Sequence, residues 1–375
     1  MDFSYSQNQI QFQLKAREFI EKEMAPKVEE YDRRSIFDKK AFAKFGAQGF
    51  LGVIVPQKFG GLGLGTMEYC LLSEELGRLS AGYHHNGIFQ TQKMIMRHGT
   101  EGQKNRFLPG LAIGKLHAAT AISEPGAGSS FAKIKTFARK TKDNYILNGV
   151  KSHINDAAEA DIMNLLARTE RGLTIFLLAK ETPGFKIKRK LDPIGLRASP
   201  IYEFELKESP IPQENILGQE GEGLSIFIDT FNFSRLGNAS VFLGMAKAAL
   251  EEALIFAGTR EIGNQNVADF QGIRWIVAEL YTQLEAAELL RNKAATIEKT
   301  KDYSSSIASM AKLFCGEVAV ETIMAAIRIT GSHGCYRDKP FERWLRDAKA
   351  LEIAGGTPEI MKNLVADQIL KKRRG

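Results

Sequence analysis

Sequence patterns typical of β-strands occur in one continuous part of this chain, between Leu116 and Glu222. This separation of strands from helices restricts the possible folds more than any other feature of the sequence. Short β-branched and aromatic runs alternate there with turn residues such as Pro183-Gly184, whereas both flanking regions carry apolar residues at helical spacing. Strands grouped between helices are typical of α+β chains. We therefore predict an N-terminal helical domain (1–115), a middle β domain (116–223) and a C-terminal helical bundle (224–375).

Helical periodicity covers most of the flanking regions. Before the strands it is found at 5–33, where Pro26 kinks or ends the helix, and then at 38–48 and 67–78. After the strands, a last helix begins at Thr357-Pro358, an N-cap followed by proline. Three long segments precede it, and together they predict a four-helix bundle: 224–256, 270–298 and 307–330. The expected strands are 144–147, 162–167, 173–179, 185–188 and 201–206.

The segment 121–130 reads Ala-Ile-Ser-Glu-Pro-Gly-Ala-Gly-Ser-Ser and follows an apolar run. Pro125 fixes its own φ, and Gly126 and Gly128 allow backbone conformations that a Cβ would forbid. We expect a sharp turn whose backbone N–H groups and serine hydroxyls point to one place and bind an anionic or hydrogen-bonding ligand. The segment matches neither a Walker loop nor a Rossmann turn, and an ordinary β-turn is the simpler interpretation of the glycines alone.

A second segment, 145–155, reads Tyr-Ile-Leu-Asn-Gly-Val-Lys-Ser-His-Ile-Asn and predicts a β-hairpin with an Asn148-Gly149 turn. Ser-Glu-Pro-Gly-Ala-Gly-Ser at 123–129, followed by Tyr-Ile-Leu-Asn-Gly-x-Lys at 145–151, resembles the flavin-proximal signature of the acyl-CoA dehydrogenase family. Each half is weakly specific by itself. The pair at this spacing is strong.

The resemblance to this family covers essentially the whole chain. It includes the glycine-rich segment 60–65 after Pro56, Arg346-Asp-Ala348, and Gly-Gly-Thr-Pro-Glu-Ile-Met at 355–361. The last of these is closest to the long- and branched-chain subset of the family. The implied fold is α+β and multidomain, with an N-terminal helical domain, a middle β-sheet domain like a sandwich or barrel, and a C-terminal four-helix bundle.

The resemblance also implies an FAD site. His153 stands where the family usually has an aromatic residue over the isoalloxazine ring, and Asn155 replaces a Ser/Thr whose hydroxyl faces the flavin N5. Arg260, Gln271 and Gly331 would reach the FAD of a neighbouring subunit. The implied cofactor residues are Ser123, Gly128, Ser129, His153, Asn155, Arg260, Gln271, Gly331 and Thr357, and the implied substrate contacts are Ser129, Asn86 and Arg235.

The catalytic base that the resemblance implies is absent from this sequence. In most of the family a glutamate takes the α-proton from the position of Gly355, and in a branched- and long-chain subset from that of Ser234. A serine hydroxyl does not take an unactivated α-proton at neutral pH. His84 and His85 are the candidate replacements, because by motif they fall at the acyl end of the family's cavity and histidine transfers protons near pH 7. The alternative for both is a polar helix–loop junction that faces solvent.

These features predict an FAD-dependent oxidoreductase that acts on the α,β carbons of an acyl thioester, with unusual proton handling. The thioester is carried on coenzyme A or on an acyl carrier protein. Polar groups near the flavin also suit a flavin-dependent monooxygenase, and a thioester-binding flavoprotein that has lost turnover is the third alternative. The resemblance implies a homotetramer or dimer, with an electron-transfer flavoprotein or oxygen as the electron acceptor.

The amino-acid composition argues against several other classes of protein. With 44% hydrophobic residues and no apolar run of about 18–20 residues, the sequence is typical of a globular protein without membrane spans. Three widely spaced cysteines predict neither a disulfide framework nor a zinc site, and no metal is expected. The first residues do not read as a signal peptide, so we expect a cytoplasmic protein. The net charge of +7 suits a polyanionic substrate or an acidic carrier, and the basic tail at 371–374 is expected to be solvated rather than bound to nucleic acid.

Overall fold

The structure, a computed structural model, describes residues 4–298 and 305–372. Residues 1–3 and 373–375 lie outside it, and with them the start of the chain on which the signal-peptide expectation rests and the end of the basic tail. No helix in the described ranges is long and apolar enough to cross a membrane.

Helices form both ends of the described chain and strands form its middle. The N-terminal helices are α1 (Gln7–Glu23), α2 (Val28–Arg34), α3 (Lys39–Ala47), α4 (Thr66–Leu79), α5 (Asn86–His98) and α6 (Glu101–Ala112). The middle strands are β1 (Ala118–Ala121), β2 (Phe137–Lys140), β3 (Asn144–Asn155), β4 (Ile162–Thr169), β5 (Gly172–Ala179), β6 (Phe185–Leu191), β7 (Ile201–Pro212) and β8 (Ile216–Leu217). The C-terminal elements are α7 (Gly223–Thr259), the short strands β9 (Glu261–Ile262) and β10 (Gln265–Asn266), α8 (Gln271–Ile297), α9 (Ser305–Thr330), α10 (Phe341–Ile353) and α11 (Pro358–Lys372).

The first helices begin and end where their sequence dictates. Ser6 and Gln9 form a capping box at the start of α1, and the chain leaves the α-helix before Pro26, which lies in a 3₁₀ turn ahead of α2. The Asp38 carboxylate accepts the backbone N–H of Ala41 and caps α3. The prediction that Pro26 interrupts the first helix is therefore confirmed.

The eight strands of the middle region form one sheet in the order β6-β7-β3-β2-β4-β5-β8, with β1 paired in parallel to β4. The prediction of a hairpin at Asn148-Gly149 is wrong. Strand β3 continues through these two residues without reversing and pairs with β2 on one side and with β7 on the other. Gly149 lies at a register shift in β3, and a Cβ there would meet Thr136 Oγ1 at 2.4 Å. The Asn-Gly pair thus marks a β-bulge with close backbone approach rather than a turn.

The central strands β4 and β5 are buried on both faces of the sheet, whereas β2 and β6 are largely exposed. Along β5, Ile175 and Leu177 pack into the large core shared with the helices, whereas Phe176 and Leu178 pack into a second core within the β region. Because side chains alternate along a strand, two buried faces give a nearly continuous apolar sequence. The middle region is therefore attached to the helices through one face of its sheet.

Helix α7 is the centre of the helical part and packs against α4, α5, α8, α9 and α10. Its backbone touches that of α4, since an added Cβ would lie 1.9 Å from Glu74 O at Gly244 and 2.3 Å from Val241 O at Gly77. A third glycine, Gly237, leaves room for the Tyr69 hydroxyl, which an added Cβ would meet at 2.0 Å. These glycines bring α4 side chains directly against α7.

The four predicted C-terminal helices are present as α7, α8, α9 and α11, and within the described residues one shorter helix, α10, was not anticipated from the sequence. Helices α5 and α6 were also not anticipated. Each of the three has only 12 or 13 residues, and Pro109 lies inside α6. Proline normally ends or kinks a helix, so the sequence of α6 does not read as one continuous helix.

Candidate active site

A buried ion pair holds the 123–130 loop in place. Lys151 donates from Nζ to Glu124 Oε1 and to the Ile122 carbonyl, each at 2.9 Å, and its side chain is fully buried. The Glu124 carboxylate also accepts the backbone N–H groups of Lys135 and Thr136, at 2.7 and 3.0 Å. Burial lowers the pKa of the Lys151 amine to about 8, against the opposing attraction of Glu124. This pair explains why the two halves of the sequence signature occur together.

The outer side of the same loop is open. The backbone N–H of Ser152 donates to the Ser123 carbonyl at 3.0 Å, and Ser129 is exposed. A Cβ added at Gly126 or Gly128 would have no neighbour within 4 Å, and neither residue has a positive φ. The expectation that these glycines need conformations forbidden to a Cβ is therefore wrong. Their lack of side chains instead leaves free space in front of the loop.

Strand β3 ends beside this loop with a second bulge. The register shifts between Lys151 and Ile154, and His153 at the shift has a φ of +60° and an exposed side chain. Bulges near sites turn a side chain out of the regular alternation. Asn155 donates from Nδ2 to the carbonyl and to the hydroxyl of Ser199, at 3.2 and 3.1 Å. His153 and Asn155 therefore lie on the strand whose Ser152 contacts the loop at Ser123.

The two positions where a glutamate was expected lie close together. Ser234 is buried on α7, and its hydroxyl accepts a hydrogen bond from Asn86 Nδ2. The Tyr69 hydroxyl donates to Asn86 Oδ1 at 3.4 Å. One turn further along α7, Asn238 Nδ2 would lie 2.5 Å from a Cβ at Gly355, which has a φ of +74°. Both positions therefore border the same short stretch of α7, and neither carries a carboxylate.

His84 lies in this polar group but is a weak base. Its Nε2 is 3.0 Å from the Ser73 hydroxyl and 3.3 Å from the Tyr69 hydroxyl. Burial, together with a smaller effect of the neighbouring His85, lowers the pKa of the imidazole to about 3. A neutral ring of such low basicity donates or accepts hydrogen bonds near pH 7 and does not readily take up a proton. The geometry therefore argues against His84 as the missing base.

His85 points to a different part of the molecule. Its Nδ1 is 3.1 Å from Asp156 Oδ2, and His117 Nε2 is 3.2 Å from the same oxygen. The adjacent histidines consequently do not act as a pair at Ser234. Both are buried, so the alternative of a solvent-facing junction is also wrong.

Lys312 is a residue at this place that the sequence did not single out. It is buried on α9 and donates to the carbonyls of Gly356 and Glu352, at 2.6 and 3.1 Å. Its Cε would lie 3.6 Å from a Cβ at Gly355. Burial lowers the pKa of the amine to about 7, with a further contribution from Arg235. The available signal was a lysine among apolar residues in Met-Ala-Lys-Leu-Phe, where a surface helix would place more polar side chains.

Arg235 and Thr357 lie at the loop between α10 and α11, which contains Gly355 and Gly356. Arg235 is buried, donates to Asn232 Oδ1 at 2.8 Å and stands over the Phe231 ring with its Cζ 4.9 Å from the ring centroid. The Thr357 hydroxyl accepts the N–H of Ile360 at 3.4 Å at the start of α11. Arg235 is therefore held within the protein rather than extended into solvent.

The second group of predicted cofactor residues lies at one end of the C-terminal bundle. Arg260 follows α7, Gln271 begins α8 and Gly331 follows α9, and all three are exposed. The Phe256 and His333 rings stack at 5.1 Å and join the ends of α7 and α9. Exposed residues of these types can contact a ligand that another molecule also binds.

Comparison with known proteins agrees with this arrangement. Family models for the acyl-CoA dehydrogenase N-terminal, middle and C-terminal domains match residues 6–115, 119–209 and 221–370. An acyl-CoA dehydrogenase of Bacillus subtilis (strain 168) is 34% identical over an alignment of 375 positions, which covers 97% of this chain and 98% of that protein.

Solved structures match over similar lengths. Butyryl-CoA dehydrogenase from Megasphaera elsdenii has a TM-score of 0.95 and 33% identity, with 99% of this chain and 100% of that chain covered. A prolyl acyl carrier protein oxidase has a TM-score of 0.91 and 30% identity, with 98% and 100% covered. The chain therefore belongs to the acyl-CoA dehydrogenase family of FAD-binding oxidoreductases.

Proposed function

We propose that this protein oxidises or reduces the α,β carbons of an acyl thioester with FAD and without a glutamate base. The observation that carries the proposal is the chemistry at the two base positions. Ser234 offers a hydroxyl that is hydrogen-bonded to Asn86, and Gly355 has no side chain. The site can therefore hold a thioester while it lacks the carboxylate that removes an unactivated α-proton.

The residues of the 123–130 loop and of β3 fit the flavin of FAD. Free space in front of Gly126 and Gly128 admits a planar ring, and the hydroxyls of Ser123 and Ser129 can donate to its heteroatoms. When bound, FAD supplies the hydride chemistry at the β-carbon. His153 would cover one side of the ring, because it is the exposed residue at the bulge.

The residues at the end of the bundle fit the remaining part of FAD. Arg260 is a cation suited to a diphosphate, Gln271 offers an amide, and no neighbour lies within 4 Å of a Cβ added at Gly331. We propose that they hold the FAD of a neighbouring copy of the chain, in a homotetramer or dimer. The protein then needs assembly for full cofactor affinity.

The neutral wall around Ser234 restricts the substrate. Asn86, Tyr69 and His84 offer hydrogen bonds but little basicity. We propose that the substrate has an α-proton that is already acidic, or undergoes a reaction that needs no α-deprotonation. Straight-chain saturated acyl-CoAs are then poor substrates, since general-base catalysis typically contributes about 10²–10⁴-fold.

Anaerobic titration of the purified flavoprotein with a panel of acyl thioesters tests this function. The panel contains saturated acyl-CoAs, thioesters with an electron-withdrawing β-substituent and the same acyl groups on an acyl carrier protein. Bleaching of the flavin by the activated thioesters, but only slowly by the saturated ones, supports the proposal. Oxygen consumption driven by NAD(P)H supports the monooxygenase alternative instead. Thioester binding without any flavin reduction supports a binding protein that has lost turnover.

A further inference from the structure

A second cluster of reactive side chains lies away from Ser234, between the N-terminal helices and the middle sheet. It consists of His85 before α5, His117 before β1 and Asp156 after β3, and all three are buried. We call it the His-Asp-His cluster. None of its side chains is assigned a role in the function proposed above, and no metal was expected from the sequence.

The three side chains direct one ligand atom each toward a common point. His85 Nδ1 and His117 Nε2 are 3.1 and 3.2 Å from Asp156 Oδ2, and the three atoms all lie within 4.8 Å of one another. Ligands at bond lengths of about 2.0–2.1 Å around a tetrahedral zinc ion are separated by roughly 3.3 Å. The two histidine–carboxylate separations match this spacing, so the three side chains could share a cation if the two imidazole nitrogens lie at a similar separation.

The surroundings hold the Asp156 carboxylate in place. Its second oxygen accepts a hydrogen bond from the Ser199 hydroxyl at 2.9 Å, and the backbone N–H of Asp156 donates to the Pro200 carbonyl at 2.7 Å. Metal-binding carboxylates are commonly oriented by such outer hydrogen bonds. Asp156 and His85 also adopt positive φ angles, +57° and +43°, which are uncommon for residues with side chains and concentrate at functional sites.

The partners of the carboxylate also suit a cation site. The Asp156 carboxylate is buried, and its two histidines and the Ser199 hydroxyl are its side-chain partners among the described residues. A divalent cation in this place would take one ligand from the carboxylate and one from each imidazole. For His117 that ligand is Nε2, which is the ring nitrogen that faces Asp156.

Aromatic rings line the cluster. The Phe37 ring stacks on His117 at 4.9 Å between centroids, and the Phe42 ring meets His117 edge-on at 4.7 Å. Two imidazoles and one carboxylate supply three of the four ligands of a tetrahedral zinc ion. This ligand set suits zinc or a similar divalent transition metal rather than calcium or magnesium, which prefer oxygen ligands.

We propose that His85, His117 and Asp156 form a structural site for Zn²⁺ or a similar divalent transition metal, which joins the helical and β regions. The site holds the start of α5, and therefore Asn86, in position beside Ser234. Without metal the same groups make a hydrogen-bonded network, in which both imidazoles donate to the carboxylate. The two states differ in metal content and in stability toward chelators.

Metal analysis of the full-length, tag-free holoenzyme tests this site. We expect about one Zn²⁺ per chain after growth with zinc or after reconstitution with ZnCl₂. We also expect a thermal midpoint that falls by about several degrees on dialysis against a chelator and recovers with ZnCl₂. The variant His117→Gln should lose the bound metal. The control His98→Gln should keep it, because His98 pairs with Asp229 alone at the protein surface.

Wild-type protein alone can overturn the proposal if His117→Gln does not fold. Folded wild type that takes up no stoichiometric Zn²⁺, Co²⁺, Ni²⁺, Mn²⁺ or Fe²⁺, and whose thermal midpoint is unchanged by chelator, contains only the hydrogen-bonded network. Metal retained equally by folded His117→Gln and by wild type would place the metal elsewhere and would also refute this site.

Discussion

At the scale of single residues, the chemistry depends on Ser234 and Gly355, the small residues at the two positions where a glutamate base was expected. Ser234→Glu should accelerate flavin reduction by saturated acyl-CoAs by about 10²–10⁴-fold, because it restores a carboxylate where Asn86 already donates a hydrogen bond. Gly355→Glu should gain less, since a Cβ there meets Asn238 Nδ2 at 2.5 Å and the residue has a positive φ. Stopped-flow bleaching of the flavin under anaerobic conditions measures both. Equal rates for wild type and Ser234→Glu would show that the protein already has an efficient base.

The buried Lys312 should give the protein a distinct pH dependence of stability. Its pKa falls from an ordinary 10.5 to about 7 on folding, so between these values the unfolded chain binds more protons. Stability attributable to this residue therefore rises with pH above about 7 and is constant below it. The free energy of unfolding of wild type relative to Lys312→Met should increase by roughly 2 kcal/mol between pH 7 and pH 9, since one pKa unit corresponds to about 1.4 kcal/mol.

Urea denaturation at pH 6, 7, 8 and 9 measures this difference. The control is Lys362→Met, which replaces an exposed lysine of α11. The free energy of unfolding of wild type relative to this variant should not increase in the same way with pH. A constant difference between wild type and Lys312→Met over this pH range would mean that the amine stays protonated through its two carbonyl contacts.

Sequence motifs singled out candidate flavin contacts but not the groups packed around the base positions. Ser123, His153 and Asn155 were candidates because the signature fixes their spacing, and in the structure β3 runs beside the loop that carries Ser123. Lys312 and Tyr69 could not be found in this way, because their roles depend on which helices pack side by side. The different partners of His84 and His85 were also hidden, since adjacent residues at a helix–loop junction can point in unrelated directions.

Helix packing at the scale of elements depends on the contact between α4 and α7. Gly237→Ala should destabilise the protein by about 1–3 kcal/mol and weaken thioester binding, because the new methyl group would lie 2.0 Å from the Tyr69 hydroxyl. Gly258→Ala on the same helix is the matched control, since nothing lies within 4 Å of its added Cβ. It should be neutral or stabilising by up to about 1 kcal/mol.

Urea denaturation and binding of a thioester to the oxidised flavoprotein measure the two effects of these variants. Gly237→Ala with wild-type stability and wild-type binding would show that Tyr69 moves freely and does not shape the site. A loss of stability in Gly258→Ala as large as in Gly237→Ala would mean that α7 tolerates no alanine, and the contact with α4 would then explain nothing.

The order and type of most elements followed from local sequence. Proline, capping residues and apolar spacing predicted α1, α3, α4 and the long C-terminal helices to within a few residues. The hairpin prediction at Asn148-Gly149 failed because the same dipeptide serves a turn or a bulge, and the choice depends on Thr136 in a neighbouring segment. Local sequence does not contain that contact.

The whole molecule exposes apolar side chains at the end of the bundle where FAD residues were predicted. Trp275 is 61% exposed and Ile262 is 55% exposed, beside the exposed Arg260 and Gln271. Apolar residues of this size are rarely left in water together on a monomer. They support an assembly in which another copy of the chain covers this end and contributes to FAD binding.

Trp275→Glu should therefore dissociate the assembly and lower its FAD content together. A buried tryptophan at an interface centre contributes about 2 kcal/mol or more, so the dissociation constant of the assembly should rise by at least about 30-fold. Leu14→Glu on α1, where Leu14 is 56% exposed, introduces the same charge away from the bundle and should change neither property. Sedimentation at several protein concentrations, with the flavin to protein absorbance ratio recorded in each run, measures both. Because Arg260 and Gln271 would reach the cofactor of the neighbouring copy, dissociated Trp275→Glu that retains full FAD would show that each chain binds its flavin alone.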